Sequence, residues 1–499
     1  MPLFPRPLQF YKPYSRPLQQ RLFLLLQTCK SKRQLNQIHA QLLLNGFSQK
    51  SFLLTKLLSF CIASGDLPYA VAAFSYVDKP STTLSNQMLR AFSLSPKPRS
   101  CLLFYTQVLQ GREGIRPNGF TYAFLLSACA RAGASFLSQG EQLHGQIVSA
   151  GFDSNVYVRT NLINMYAKEE IASARKVFDE MPQQNMVSWN SMLVGYMRSG
   201  DLDAASGFFS EMRRRDAVSW TTMIAGFAQA GKSTQSLELF REMRRRRVTP
   251  DQVTMVALLS ACADLGDLEL GKWIHGRIDS SQRGKERLVS VNNALIQMYA
   301  KCGDVEEAGH IFRVMRRRTT LSWTTMIAGL AMHGRFDDAL ELFDKMLEKP
   351  DTATYLAVLM ACSHSGRVND GWRRFEDMAR VHGIRPEMRH YTCMVDMLSR
   401  ANRLPEALEL VETMPVRADE VFWGALLGGC GRNGEVELAS YVVDRLVEIK
   451  PEKAAGHLLF LANVYAAVSK WEEARRARER MVELGVRKPL GLSWTNPIT

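Results

Sequence analysis

An all-α solenoid is the fold the sequence predicts, and three observations predict it. The phrase Ser188-Trp189-Asn190-Ser191-Met192 returns as Ser219-Trp220-Thr221-Thr222-Met223 and as Ser322-Trp323-Thr324-Thr325-Met326, at intervals of 31 and 103 residues. A second phrase keeps the same beat, with Phe178, Phe209 and Phe240 each 31 apart and Phe312 and Phe343 again 31 apart. Within each phrase the apolar residues recur at helical spacing, as in Ala339, Leu340, Leu342, Phe343 and Met346. Self-similarity at such a period marks short units that bury their apolar faces only by stacking on neighbours.

Each unit reads as a helical hairpin. Between the Trp phrase and the Phe phrase lies a polar break with glycine, such as Arg198-Ser199-Gly200-Asp201 or Lys301-Cys302-Gly303-Asp304. Glycine closes one helix, and the acid after it suits the N-terminus of the next. A longer variant carries cysteine: Leu125 to Cys129, Leu258 to Cys262 and Val358 to Cys362 share one register, and Leu25 to Cys29 fits it. Cysteine recurring in phase is a small buried helix residue rather than a redox group. The Trp, Phe and Met positions likewise read as packing between hairpins.

With these marks the chain divides at 21–50, 51–81, 82–118, 119–155, 156–185, 186–216, 217–251, 252–288, 289–319, 320–351, 352–387 and 388–419, about twelve units over 21–419. Residues 420–499 carry related phrases, Val421-Phe422-Trp423-Gly424 and Leu461-Ala462-Asn463-Val464-Tyr465 among them. Residues 1–20 hold three basic side chains and no acid, and the first acid of the chain is Asp66. A basic, hydroxyl-bearing, acid-poor start is expected of an organelle transit peptide, with a disordered tail as the alternative. It lacks the long apolar core and small-residue cleavage site of a secretory signal, and Leu22 to Leu26 is too short to span a bilayer, so no membrane role is expected. The formal charge of +14 points to a polyanionic partner.

The alternation of unit lengths, with the SWN and SWT, SAC and MYAKCG phrases, resembles the plant organellar pentatricopeptide-repeat family and, within it, the PLS subfamily. The tract 420–499 resembles the E motifs of its editing-type members. The resemblance implies a right-handed superhelix that binds single-stranded RNA in sequence-specific fashion in a mitochondrion, or alternatively a chloroplast. It also implies a role in selecting sites for cytidine-to-uridine editing, with residues 420–499 recruiting a deaminase and editing cofactors in trans. Splicing, stability or translation of an organellar transcript is the alternative within that class. A protein-binding helical scaffold is the alternative outside it.

In repeat readers of RNA each unit offers two or three side chains to one base. Position five of a unit lies near the start of its first helix, and the last residue lies in the turn to the next unit. These positions hold Asn86/Asn118, Thr160/Asn185, Asn190/Asp216, Thr221/Asp251, Asn293/Thr319, Thr324/Asp351 and Thr392/Asp419. Carried over from the family, they imply pyrimidine, A, U, G, weak pyrimidine, G and G, with the RNA running 5′ to 3′ from N- to C-terminus. The long units carry Ala123, Val256 and Leu356 at position five, which cannot hydrogen-bond a base and are expected to space or stack. Helix capping is the competing account of polar residues near a helix start. Two accounts also stand for the arginine runs Arg213 to Arg215, Arg244 to Arg247 and Arg316 to Arg318: phosphate contact, or placement at helix C-termini.

No catalytic site, metal site or cofactor is expected. A zinc deaminase requires a glutamate two residues after a metal-binding histidine, and a C-x-x-C pair. None of the nine histidines meets that spacing, and none of the nine cysteines forms that pair. A P-loop and H-E-x-x-H are absent as well. His144 and His275 sit at equivalent places in the long units and read as repeat residues rather than ligands.

Overall fold

The computed structural model describes residues 15–109, 116–281, 287–415 and 418–483. Those residues form twenty-eight α-helices joined by short turns, with two 3-10 turns, one π segment and no strand. The helices run in pairs. Met186–Ser199 and Leu202–Glu211 make one hairpin, Ala217–Gln229 and Ser233–Arg245 the next. None of them is long and apolar enough to cross a membrane.

Contacts divide the chain into two compact bodies, one of residues 1–230 with 235–251, the other of 231–234 with 252–499. Within each body the order is the same. The first helix of a hairpin packs on its own second helix and on the first helix of the following hairpin. In the first body this layer runs through Gly119–Ala132, Val156–Tyr166, Met186–Ser199 and Ala217–Gln229. In the second it runs from Gln252–Leu265 through Val289–Lys301, Thr320–Met332, Thr352–Ser365 and Met388–Arg400 to Glu420–Asn433.

Local chemistry sets each turn as expected. Gly200 ends its helix in the left-handed region at φ 76°, a conformation that penalises any Cβ. Asp201 then accepts the Ala204 amide at 2.9 Å and starts the second helix. Close approach of neighbouring first helices also needs glycine: a Cβ on Gly329 would lie 2.7 Å from that of Ala300.

The two sequence phrases meet across the joint between hairpins. Phe178 packs edge-on against Trp189, Phe209 against Trp220 and Phe312 against Trp323, with ring centroids 4.9, 4.9 and 5.0 Å apart. Each phenylalanine comes from one unit's second helix and each indole from the next unit's first. Cys129, Cys262 and Cys362 are buried in first helices, and burial pushes their thiols up to about 12, 12 and 11. Thiols so placed hold little thiolate at neutral pH and act as packing groups.

One boundary differs from the sequence reading. The first helix, Ser15–Thr28, begins inside the segment assigned to a leader, so the stack starts six residues before position 21. Residues 1–14 lie outside the described residues. After Asp419 two further hairpins follow, Glu420–Asn433 with Val436–Ile449 and Ala454–Ala467 with Trp471–Glu483. The Gly491 to Trp494 phrase lies outside the described residues.

Candidate functional site

The last residue of each unit begins the first helix of the next. Asn118 Oδ1 accepts the amides of Phe120 and Thr121, both at 3.1 Å. Asn185 accepts the Ser188 amide at 2.7 Å, Asp216 the Ser219 amide at 2.8 Å, Asp351 the Thr354 amide at 2.8 Å and Asp419 the Phe422 amide at 3.1 Å. Capping is therefore realised at the last residues. It does not account for position five, which lies inside the first turn and a half of the preceding hairpin's first helix.

Four of the seven pairs are joined by hydrogen bonds across the joint. Asn86 Nδ2 donates to Asn118 Oδ1 at 3.0 Å, and Asn190 Nδ2 to both oxygens of Asp216 at 3.2 and 3.3 Å. Thr221 Oγ1 donates to Asp251 Oδ1 at 3.3 Å. Thr324 reaches Asp351 through Thr354, whose hydroxyl lies 2.7 Å from each. In the other three pairs the position-five side chain has a different surrounding. Thr160 and Thr392 bond their own helix, to the carbonyls of Val156 and Met388, at 2.8 and 3.1 Å. Asn293 keeps its Oδ1 buried without a hydrogen-bond partner, and Thr319 turns to the Ser322 hydroxyl at 3.2 Å.

Six of the seven pairs are ordered in depth, Asn190 and Asp216 being alike. Asn86, Thr160, Thr221, Asn293 and Thr324 are buried, and Asn190 and Thr392 half-buried. Asn185, Asp251, Thr319, Asp351 and Asp419 are exposed, with Asn118 and Asp216 half-buried. The sequence reading set both members side by side toward one ligand. In six of the seven pairs the structure instead puts position five deeper than the last residue, and in the four bonded pairs it holds that residue directly or through a hydroxyl.

This arrangement polarises the outer residue. Backbone N–H groups only donate, so the atom of Asn118 or Asn185 facing the helix start is its oxygen, and its NH2 is turned outward. An aspartate in the same place presents a second acceptor oxygen outward. Asparagine at the last position thus offers a donor, and aspartate an acceptor.

Beside the pairs stands a set of residues that sequence reading missed. Position two of the first helix is apolar and exposed in Phe120, Tyr157, Val187 and Val218 of the first body and in Val253, Leu321 and Val421 of the second. It precedes position five by three residues and shares its helix face. Val187 and Val421 are 58% and 66% exposed, far from the core values of their neighbours. The signal was present in the sequence: an apolar residue one step off the buried stripe, repeated in phase.

Profile comparison places the PPR repeat at residues 187–216, 293–319, 321–350 and 389–417, the PPR repeat family pattern at 215–264 and the E motif at 433–496. A pentatricopeptide repeat-containing protein of Arabidopsis thaliana is 39% identical over 92% of this chain and 87% of its own length. The chain belongs to the pentatricopeptide-repeat family. Pentatricopeptide repeat-containing protein CRR2, chloroplastic, also of Arabidopsis thaliana, is 36% identical over 96% of this chain and 69% of its own. Among solved structures, maize pentatricopeptide repeat protein PPR10 in complex with an 18-nucleotide psaJ RNA element superposes with a TM-score of 0.58. It covers 94% of this chain and 74% of its own at 20% identity, a likeness of fold.

Other repeated side chains hold the pentatricopeptide units together. Arg215 donates to the carbonyls of Phe209 and Ser210 at 3.0 and 3.2 Å and lies 4.4 Å from the Phe209 ring centroid. Arg318 does the same to Phe312 and Arg313, at 2.9 Å each, and lies 4.7 Å from the Phe312 centroid. The final arginine of these two runs is therefore a C-terminal helix cap; Arg213, Arg214, Arg316 and Arg317 are exposed. His144 and His275 hydrogen-bond the hydroxyls of Tyr166 and Tyr299 in the next hairpin, at 3.1 and 2.9 Å. Burial lowers both imidazole pKa values below the ordinary range, as a packing role requires. Among the described residues no group of three or more metal-binding side chains gathers.

Proposed function

We propose that this pentatricopeptide-repeat protein binds organellar single-stranded RNA in sequence-specific fashion and selects sites for cytidine-to-uridine editing. A deaminase would act in trans, recruited through residues 420–499. The observation that carries the RNA-binding reading is the outward polarity of the last residues, in phase with exposed apolar side chains at position two. A stretched strand passing such a row finds an apolar face for each base and one defined hydrogen-bonding group at its edge.

The polarity accounts for base choice. An aspartate acceptor suits the N–H groups on the Watson–Crick edges of G and U, and an asparagine donor suits the acceptor nitrogens of A and C. Position five then divides each set by size. Threonine is short and leaves room for a purine; asparagine reaches further and fills that room, leaving space for a pyrimidine. Asn190/Asp216 reads U on this basis, Thr221/Asp251 reads G, and Thr160/Asn185 reads A. The fold shared with PPR10, whose crystal structure contains an RNA element, supports the same reading. Editing rests on the E motif matched over 433–496.

Two experiments test this. Binding of the full chain to a single-stranded RNA carrying the expected bases should weaken steeply with salt and exceed binding to a scrambled RNA of equal length. Equal affinity for both would remove the sequence-specific reading. Sequencing organellar transcripts with and without the protein separates the roles: loss of one or a few edited sites supports editing. A change in splicing or abundance with editing intact would assign the alternative role.

A further inference from the structure

The third residue of the three long units with cysteine in register, 119–155, 252–288 and 352–387, is threonine: Thr121, Thr254 and Thr354. In units 186–216, 217–251 and 320–351 it is serine: Ser188, Ser219 and Ser322. All six are buried, and their hydroxyls do different things. Ser188 and Ser219 turn back to the carbonyls of Asn185 and Asp216, at 2.8 and 2.9 Å. Thr121 and Thr354 instead enter the pair of the preceding unit.

The single proton of each threonine hydroxyl fixes its network. Thr121 Oγ1 accepts the Asn118 amide at 3.1 Å and lies 2.7 Å from Asn86 Oδ1 and 3.2 Å from Asn118 Oδ1. Its proton goes to the nearer oxygen. That donation holds the Asn86 amide with its oxygen toward Thr121 and its nitrogen toward Asn118 Oδ1. Asn118 in turn is held with its NH2 outward. At the second site Thr354 Oγ1 accepts the Asp351 amide at 3.2 Å and lies 2.7 Å from Asp351 Oδ1 and from Thr324 Oγ1. A carboxylate cannot donate, so Thr354 gives its proton to Asp351, while the Thr324 hydroxyl has two acceptors, Thr354 Oγ1 at 2.7 Å and the Thr320 carbonyl at 2.9 Å. Among the described residues the Thr354 amide and hydroxyl both bond this carboxylate at Oδ1, which directs Oδ2 outward.

We propose that Thr121 and Thr354 are positioning residues for base choice in the units before their own. The long units, silent at position five through Ala123 and Leu356, act on recognition through these hydroxyls. The reading set at each of these sites becomes three residues: Asn86, Asn118 and Thr121; Thr324, Asp351 and Thr354. This rests on the RNA reading proposed above.

The test uses the full chain with Thr354→Val and Thr354→Ser. The probes are four single-stranded RNAs that differ only in the base facing unit 320–351, plus one with an abasic site there. Ratios of affinity within one protein sample are independent of its folded fraction. Thr354→Val should reduce the preference for G over A about tenfold, while Thr354→Ser keeps it within about twofold. Affinity for the abasic RNA should be equal in all three proteins, which a merely structural loss would not give. Thr121→Val should likewise relax pyrimidine choice opposite unit 82–118. If Asp351→Asn moves the preference from G to A but Thr354→Val leaves it unchanged, the threonine role is overturned and the base-reading account stands. If the parent protein shows no preference there and Asp351→Asn changes nothing, the base-reading account falls and this inference with it.

Discussion

Asn190 donates its side-chain amide to both carboxylate oxygens of Asp216, at 3.2 and 3.3 Å, across the joint between two hairpins. The same carboxylate accepts the Ser219 amide and so starts the next helix. One residue thus serves stability and recognition, and the two can be separated. Asp216→Ala removes the cap and leaves the Asn190 amide without its acceptor. The cap costs about 1 kcal/mol and the unpaired amide a further 1 to 3 kcal/mol, roughly. Asp216→Asn keeps an oxygen at the helix start and should stay within about 0.5 kcal/mol of the parent. Urea unfolding followed by circular dichroism checks both; equal losses would contradict the division of roles.

The joint is also held by rings. Trp220 is fully buried, meets Phe209 edge-on at 4.9 Å, and Arg215 lies over both rings. Trp220→Ala should cost about 3 to 5 kcal/mol. Arg215→Ala loses a helix cap and a cation–ring contact, together about 1 to 2 kcal/mol. Because each hairpin contacts only its neighbours, the loss should fall locally. Hydrogen exchange should quicken in the helices Leu202–Glu211 and Ala217–Gln229, while the helix Thr82–Leu94 stays protected. Uniform quickening along the body would contradict nearest-neighbour stacking.

Glu420 ties the first hairpin after the twelve units to the second. Its carboxylate receives Lys450 and Lys453 at 2.6 Å each, and these hydrogen bonds depress its pKa to about 2 from an ordinary 4.5. A depressed carboxylate contributes stability that is present above the unfolded value and lost as pH falls through the folded one. The window is therefore pH 4.5 down to about 2. Local protection of Glu420–Asn433 should decline across it in the parent protein. Glu420→Gln should flatten that decline and start from the weaker state at pH 7. A parent-like decline in the variant would assign the acid response to other groups.

The hairpins, their joints and the last residues were legible in the sequence because each depends on local chemistry. Gly200 and Asp201 mark a turn by conformation and capping, and Phe209 and Trp220 mark a joint by recurring in phase. The depth order of Thr221 behind Asp251 was not legible, since it follows from how neighbouring first helices approach. Val187 and Val218 were hidden for a different reason: valine on a helix reads as core until its neighbours are placed. Arg215 carried two readings in sequence, and geometry decided for the helix end, because its guanidinium reaches back five and six residues to Ser210 and Phe209.

The most direct measurement is the base preference of Asp216→Asn, taken with four single-stranded RNAs that differ only at the nucleotide facing Asn190. The parent should prefer U, and the variant, now presenting an amide donor in place of a carboxylate acceptor, should prefer C by a comparable ratio. A variant that still prefers U, or that loses affinity for all four RNAs alike, would contradict base reading by the outer residue of the pair.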